Sequence, residues 1–289
     1  MSRKGLILFI ATGIAWGLPY FFIRIAVEDF STVTIVFARV VIGGAVLIPL
    51  AIHRKALLPA IKQWRWVLAF AAIEMVVPWW LITEAERNIS SGLAGLLVAT
   101  VPFFAILIAY FYQGDKSVKH PKTLMGLVIG FVGVVLLVGI DSLAGHISPV
   151  HVLMVIVAAV GYAIAPAIAA QKLNGVETVG VISLSLAMVA VVYAVPALIA
   201  LPAEIAAGPA IESWIALGVL GVICSAVAFV IFFSLIREIG SARATLITYL
   251  NTAVALVLGI LFLSEPLTPG IMIGFPLVLV GSYFASKKH

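Results

Sequence analysis

The run Thr178-Val-Gly-Val-Ile-Ser-Leu-Ser-Leu-Ala-Met-Val-Ala-Val-Val-Tyr-Ala-Val-Pro-Ala-Leu-Ile-Ala200 carries no charged side chain. A helix needs about 20 apolar residues to cross the hydrocarbon core of a bilayer, so this stretch is long enough to span one. It has company on both sides. Working outward, charged residues and Pro/Gly punctuation divide the chain into ten apolar runs, at 5–26, 32–52, 64–84, 92–112, 122–140, 149–170, 177–200, 211–235, 242–263 and 269–285. The expectation is an all-α integral membrane protein of ten transmembrane helices.

The 289 residues are 64% hydrophobic and 10% charged, with a mean hydropathy of +1.25. A soluble domain carries about 25% charged residues, so this chain lacks the polar coat that water requires. Ten spans with short connections leave little length for a catalytic domain, and an enzyme is not expected. The first run follows Arg3 and Lys4 as a signal peptide would, but it is long and has no convincing small-residue cleavage site, so it reads as a retained helix. The single Cys224 permits no internal disulfide, and His53, His120, His146, His151 and His289 have no zinc-ligand spacing. No metal and no cofactor is expected.

Lys and Arg collect in cytoplasmic loops, so their placement gives the orientation. With the N-terminus inside, the inner segments hold Arg3, Lys4, Arg54, Lys55, Lys62, Arg65, Lys116, Lys119, Lys122, Lys172, Arg237, Arg243, Lys287 and Lys288, fourteen of the 17 basic residues. The outer segments collect Glu28, Asp29, Glu84, Glu86, Asp141, Glu204, Glu212 and Glu265. Both termini are therefore expected in the cytoplasm, in a cell (inner or plasma) membrane. The net charge of +5 reflects topology, and no nucleic-acid partner is expected.

Shifting the chain by 150 positions lays Trp64 on Trp214, Arg87 on Arg237, Ile89 on Ile239, Ser91 on Ser241, Ala94 on Ala244 and Asp115 on Glu265. A shift of 148 lays Gly126 and Gly133 on Gly274 and Gly281. These matches suggest a duplicated five-helix unit, residues 1–145 and 146–289. A tandem unit with an odd number of spans enters the membrane in the opposite sense the second time. Inverted repeats of this kind are typical of secondary transporters, whose substrate site lies at the midplane between the halves.

Several stretches resemble a known family: Asn88-Ile-Ser-Ser-Gly-Leu-Ala94 and Ile239-Gly-Ser-Ala-Arg-Ala244 at the starts of spans four and nine, Pro102 in span four, and Leu263-Ser-Glu-Pro-Leu-Thr268 before the glycine-rich tenth span. They are similar to the drug/metabolite transporter superfamily, EamA type, and most to its YddG-like aromatic amino-acid exporters. The resemblance covers nearly the whole chain. It implies ten helices around a central cavity, alternating access, and export of small metabolites. The expected partners are a small-molecule substrate and membrane lipids; protons are a further candidate ligand, a monomer is the candidate state, and the sequence leaves the oligomeric state open.

Charges at bilayer depth cost at least about 3 kcal/mol each, which singles out Arg39 and Glu74. Three readings of Glu74 stand: an ion pair with Arg39, a cavity carboxyl that binds substrate amine and proton in turn, or a carboxyl hydrogen-bonded among helices. Trp16, Tyr20, Trp79, Trp80, Tyr162 and Tyr249 are deep aromatic candidates for stacking on a substrate, against the alternative of packing. Asn251 adds a neutral hydrogen-bonding group, for substrate or for a neighbouring helix. Trp64, Trp66 and Trp214 read as interfacial anchors at the cytoplasmic ends of spans three and eight. Pro19, Pro78, Pro102 and Pro166 each remove a backbone hydrogen bond within a span and are the candidate hinges. Together these features support an exporter of aromatic and other neutral amino acids. Transport of vitamins, nucleosides or drugs, or a channel, are the alternatives.

Overall fold

The computed structural model describes residues 2–113, 120–143, 148–239, 244 and 247–286. Asp115, Lys116, Lys119, His146, Ser241, Arg243, Lys287, Lys288 and His289 lie outside the described residues, as does the side chain of Asp141. Among the described residues the secondary structure is entirely helical. The helices are α1 (Arg3–Ala26), α2 (Thr32–His53), α3 (Leu57–Lys62), α4 (Trp64–Ala71), α5 (Val77–Ala85), α6 (Ser91–Val98), α7 (Val101–Gln113) and α8 (Pro121–Leu143). They continue with α9 (Pro149–Lys172), α10 (Thr178–Ala206), α11 (Ile211–Gly221), α12 (Ala228–Ile239), α13 (Ile247–Phe262) and α14 (Pro269–Ser286).

Local chemistry sets the ends. Ser2, Ser31 and Ser90 each precede a helix, and their hydroxyls accept from the N–H of Gly5, Thr34 and Leu93, satisfying donors that the first turn leaves free. Two spans are continuous through π-helical turns, Ala72–Val76 between α4 and α5 and Val222–Val227 between α11 and α12. A third is interrupted between α6 and α7, just before Pro102. Pro102 has no N–H to bond the Val98 carbonyl four residues back, and at the break the Thr100 hydroxyl and N–H both donate to Leu97 O, at 2.6 and 3.1 Å.

A helix stands over each of the ten apolar runs. Among the described residues, seven helices, counting those joined through turns, are long and apolar enough to cross a membrane, and Pro121–Leu137, Ile247–Phe262 and Pro269–Gly281 are shorter apolar helices. Their outward faces are also apolar. Ile7, Ile10 and Ile14 on α1, Val128, Phe131 and Val135 on α8, and Val191, Val195 and Ile199 on α10 form exposed stripes at helical spacing. Such surface suits lipid and not water. The chain is a multi-pass membrane protein.

Packing pairs helices from the two halves of the chain: α2 lies against α10, α6 against α13, and α8 against α14, while α1 touches α11, α12 and α13. The α8–α14 seam depends on absent side chains. A Cβ at Gly133 would stand 2.8 Å from Leu277 Cβ, and one at Gly281 would fall against the Gly130 backbone. Small residues let helix backbones approach closely enough for dispersion to hold them where no hydrophobic effect operates.

The two ends of the bundle differ in charge. At one end Arg54 meets Glu177 at 3.4 Å, Lys4 meets Glu238 at 3.5 Å, and Lys172 lies over Trp66. At the opposite end the α1–α2 connection is tied to several helices: Arg87 donates to Phe30 O and Val27 O, Asp29 accepts from Ser213 and the Ala210 N–H, and Glu204 accepts from the Ser31 N–H. These are called here the basic and acidic ends. Trp214 packs edge-on against Phe30, with ring centroids 4.9 Å apart, so it belongs to the acidic end and not with Trp64 and Trp66. The expectation of one common end was wrong because α11 runs opposite to α4, which puts its first turn at the other end of the bundle.

Candidate functional site

Between the two ends lies a cavity of about 240 Å³. Trp16, Pro19 and Tyr20 of α1, Arg39 of α2, Trp79 of α5, and Tyr162 and Pro166 of α9 line it, together with Glu74 from the first π turn. From the second half come Phe229 and Phe232 of α12, and Ile247, Thr248 and Asn251 of α13. Seven of the nine predicted binding residues therefore meet in one space.

Two do not. Trp80, the next residue after Trp79, points to a different side of the helix and lines a recess at the acidic end with Glu84 and Arg87. Tyr249 stands on α13 between two lining residues and is not itself one. Among the proline positions, Pro19 and Pro166 line the cavity within unbroken helices. Pro78 supports the wall from behind: it packs at Gly161 of α9, where a Cβ would stand 3.1 Å from Pro78 Cγ. Pro102 marks the α6–α7 break and lies outside the cavity lining.

The two charges do not form an ion pair. No Arg39–Glu74 contact lies within 4.0 Å among the described residues, which removes the pairing the sequence allowed. Arg39 is held from elsewhere. Its guanidinium carbon sits 3.7 Å from the Trp79 ring centroid, a cation–π contact, and its Nε donates to Ser225 Oγ at 2.8 Å. Ser225 in turn donates to Leu220 O at 2.9 Å. The second π turn thus supplies the hydroxyl that orients the cation. Glu74 occupies the first π turn, and its Oε2 is buried without a hydrogen-bond partner among the described residues. A wide turn re-aims its side chains relative to a regular helix, and such turns occur often at functional sites.

Aromatic rings make the rest of the wall. Trp16 meets Phe232 at 4.5 Å and Phe229 at 5.5 Å between centroids, and Phe229 stacks on Phe233 at 6.1 Å. Asn251 is buried and accepts from the Thr252 hydroxyl at 3.3 Å. Among the described residues the cavity therefore offers one cation, one unpartnered carboxyl oxygen and several ring faces.

Ser225, Phe229, Phe232 and Thr248 were missed by the sequence reading, although a signal for Phe229 was present. Trp79 and Phe229, Ile82 and Phe232, Val98 and Thr248, and Val101 and Asn251 each stand 150 positions apart, and all eight line the cavity. Extending the repeat offset to the candidate Trp79 would have found Phe229, whereas Ile82 and Val98, the counterparts of Phe232 and Thr248, were not candidates themselves. Helices α1 and α9 likewise begin and end 146 positions apart, which sets Trp16 opposite Tyr162 and Tyr20 opposite Pro166.

The profile of the EamA-like transporter family matches residues 3–139 and again residues 150–287. The chain is 28% identical over 249 residues to YedA, an uncharacterized inner membrane transporter of Escherichia coli (strain K12), across 85% of this chain and 78% of that protein. It is 24% identical over 164 residues to a probable amino-acid metabolite efflux pump of the same strain, across 56% of this chain and 52% of that protein. A solved crystal structure superposes with a TM-score of 0.67 at 21% identity, covering 98% of this chain and 96% of the other, which speaks to the fold alone. With both halves matched to one profile, the chain belongs to the EamA-like transporter family.

Proposed function

We propose that this protein is a secondary transporter of the inner membrane that exports aromatic and other neutral amino acids by alternating access. It works through ten spans arranged as two inverted five-helix repeats, residues 1–145 and 146–289, with both termini in the cytoplasm. One observation carries the substrate class: an oriented guanidinium and an unpartnered carboxyl oxygen line the same small aromatic cavity without pairing with each other. A free amino acid has the matching charges, a carboxylate for Arg39 and an ammonium for Glu74, and an apolar side chain for the rings of Trp16, Trp79, Phe229 and Phe232. The space of about 240 Å³ falls below the roughly 300–1,000 Å³ of drug-sized sites, which favours an amino acid over a nucleoside or drug. Arg39, the single lining cation among the described residues, also disfavours phosphate esters, which recruit several donors.

The mechanism follows from the same groups. Arg39 binds the carboxylate, Glu74 exchanges a proton for the substrate amine, and the two repeats rock about the cavity to expose it to one face at a time. The amino-acid efflux assignment of one partial relative and the double profile match support this reading. The test is flux in proteoliposomes with labelled Trp, Phe, Thr and Met, with and without an imposed pH gradient. Saturable flux is expected, and Glu74→Gln is expected to abolish gradient-driven accumulation while downhill exchange persists. Absence of flux for all four amino acids overturns the substrate assignment.

A further inference from the structure

Glu86 is a second buried carboxyl for which the transport cycle above has no use. It caps the end of α5, it is fully buried, and neither carboxyl oxygen has a hydrogen-bond partner among the described residues. Its place along the chain is informative. Ile82, one turn earlier, lines the central cavity, and Arg87, the next residue, lines the recess at the acidic end. Glu86 itself lines neither. Its neighbours Ile82, Ala85 and Ile89 belong to the buried apolar cluster, with Ile23, Val27 and Phe30, that closes the cavity at this end. The carboxyl is thus sealed into the partition between the two compartments.

The charged groups that act on Glu86 are all committed elsewhere. From α1, Arg24 is paired with Glu28 at 2.8 Å. From α2, Arg39 is held by Trp79 and Ser225. From the α13–α14 connection, Glu265 adds a negative charge, although its own oxygens accept from the Ser91 and Gly92 N–H groups at 2.6 and 3.0 Å. The remaining titratable neighbours are Tyr20 of α1 and Tyr162 of α9, both of which line the cavity. A buried carboxylate without donors or a paired cation bears the full loss of hydration, whereas the neutral acid bears much less.

We infer that Glu86 is a proton-binding site of the acidic-end gate: it holds a proton while that end is closed and releases it when the end opens. On opening, water from the recess reaches the carboxyl and takes its proton, leaving a hydrated carboxylate. Reclosure returns the carboxyl to the apolar partition and requires a proton to be taken up again. Acidification at that face therefore favours the closed state. The gating role rests on the transport reading above, and the proton site itself does not.

Infrared difference spectroscopy on the full chain in lipid tests the site without any substrate. In a Glu74→Gln background, which removes the cavity carboxyl's own band, a carboxylic-acid C=O band is expected to persist at pH values where surface carboxylates are ionised, to vanish on adding Glu86→Gln, and to shift on adding Glu86→Asp. A spectrum unchanged by both substitutions overturns the proposal. The coupling is read from amino-acid counterflow as the pH at the acidic face is lowered. Wild-type exchange is expected to slow, and Glu86→Gln, which mimics the neutral acid, is expected to exchange slowly at every pH. A Glu86→Gln protein that keeps the wild-type pH dependence also overturns the proposal. Failure of the wild type to move any amino acid counts against the substrate reading, with the infrared result still deciding Glu86.

Discussion

At the scale of single residues, the cavity is built from charges that the fold keeps apart. Arg39 lies across the Trp79 ring with Nε on Ser225, an arrangement that uses the planar guanidinium and leaves no role for a lysine's point charge. Arg39→Lys is expected to raise the KM for amino-acid exchange by about 10- to 100-fold, the worth of the roughly 1.5–3 kcal/mol of a charged hydrogen bond, with a smaller change in maximal rate. Concentration-dependent counterflow checks this, and a thermal melt close to wild type separates it from misfolding. Arg39 and Glu74 were legible in the sequence because a charge stands out against an apolar run. Their partners were not. Ser225 and Phe229 sit in a span where nearly every neighbour is equally small or apolar, so residue type carries no contrast there.

At the scale of elements, the two π turns matter most. Ala72–Val76 and Val222–Val227 begin 150 positions apart; one carries Glu74 and the other the hydroxyl that holds Arg39. Pro78 removes the donor that would have bonded the Glu74 carbonyl, and nearby the Tyr193 hydroxyl donates to Val76 O at 2.7 Å. Tyr193→Phe is expected to destabilise the protein by about 0.5–1.5 kcal/mol, read as earlier thermal unfolding in detergent. Gly161 packs against the same turn, and a Cβ there would stand 2.6 Å from Ile73 O. Gly161→Ala should therefore push α9 off the turn, destabilise by about 1–3 kcal/mol and lower exchange, and a retained melt with retained flux would contradict this. Helix extents were legible because serine caps and proline breaks act locally. The π turns were not, since no residue type in Ala72–Val76 or Val222–Val227 specifies an extra residue per turn; that choice comes from what packs alongside.

At the scale of the whole molecule, helices from equivalent positions of the two halves pack on one another, α2 on α10, α6 on α13 and α8 on α14, and the cavity draws equivalent positions from both halves. The proposed inverted topology predicts that reporters fused to the N- and C-termini are both active in the cytoplasm, and that a reporter in the Gly208 turn is active outside. Opposite activities for the two termini would contradict an even number of spans. Composition and the spacing of charges by themselves determined that the chain resides in a membrane and where its apolar runs lie. Lipid requires only apolar length with every backbone group bonded inside its own helix, and both are local properties of a stretch of chain. Which deep side chains share the cavity was decided only by the tertiary structure. A helix in a membrane is apolar on its lipid face and on its packed face alike, so no periodicity in the sequence marks the side turned inward. The rotation of each helix against its neighbours, set by glycine seams and π turns, brought Trp79 to the cavity and left Trp80 outside it.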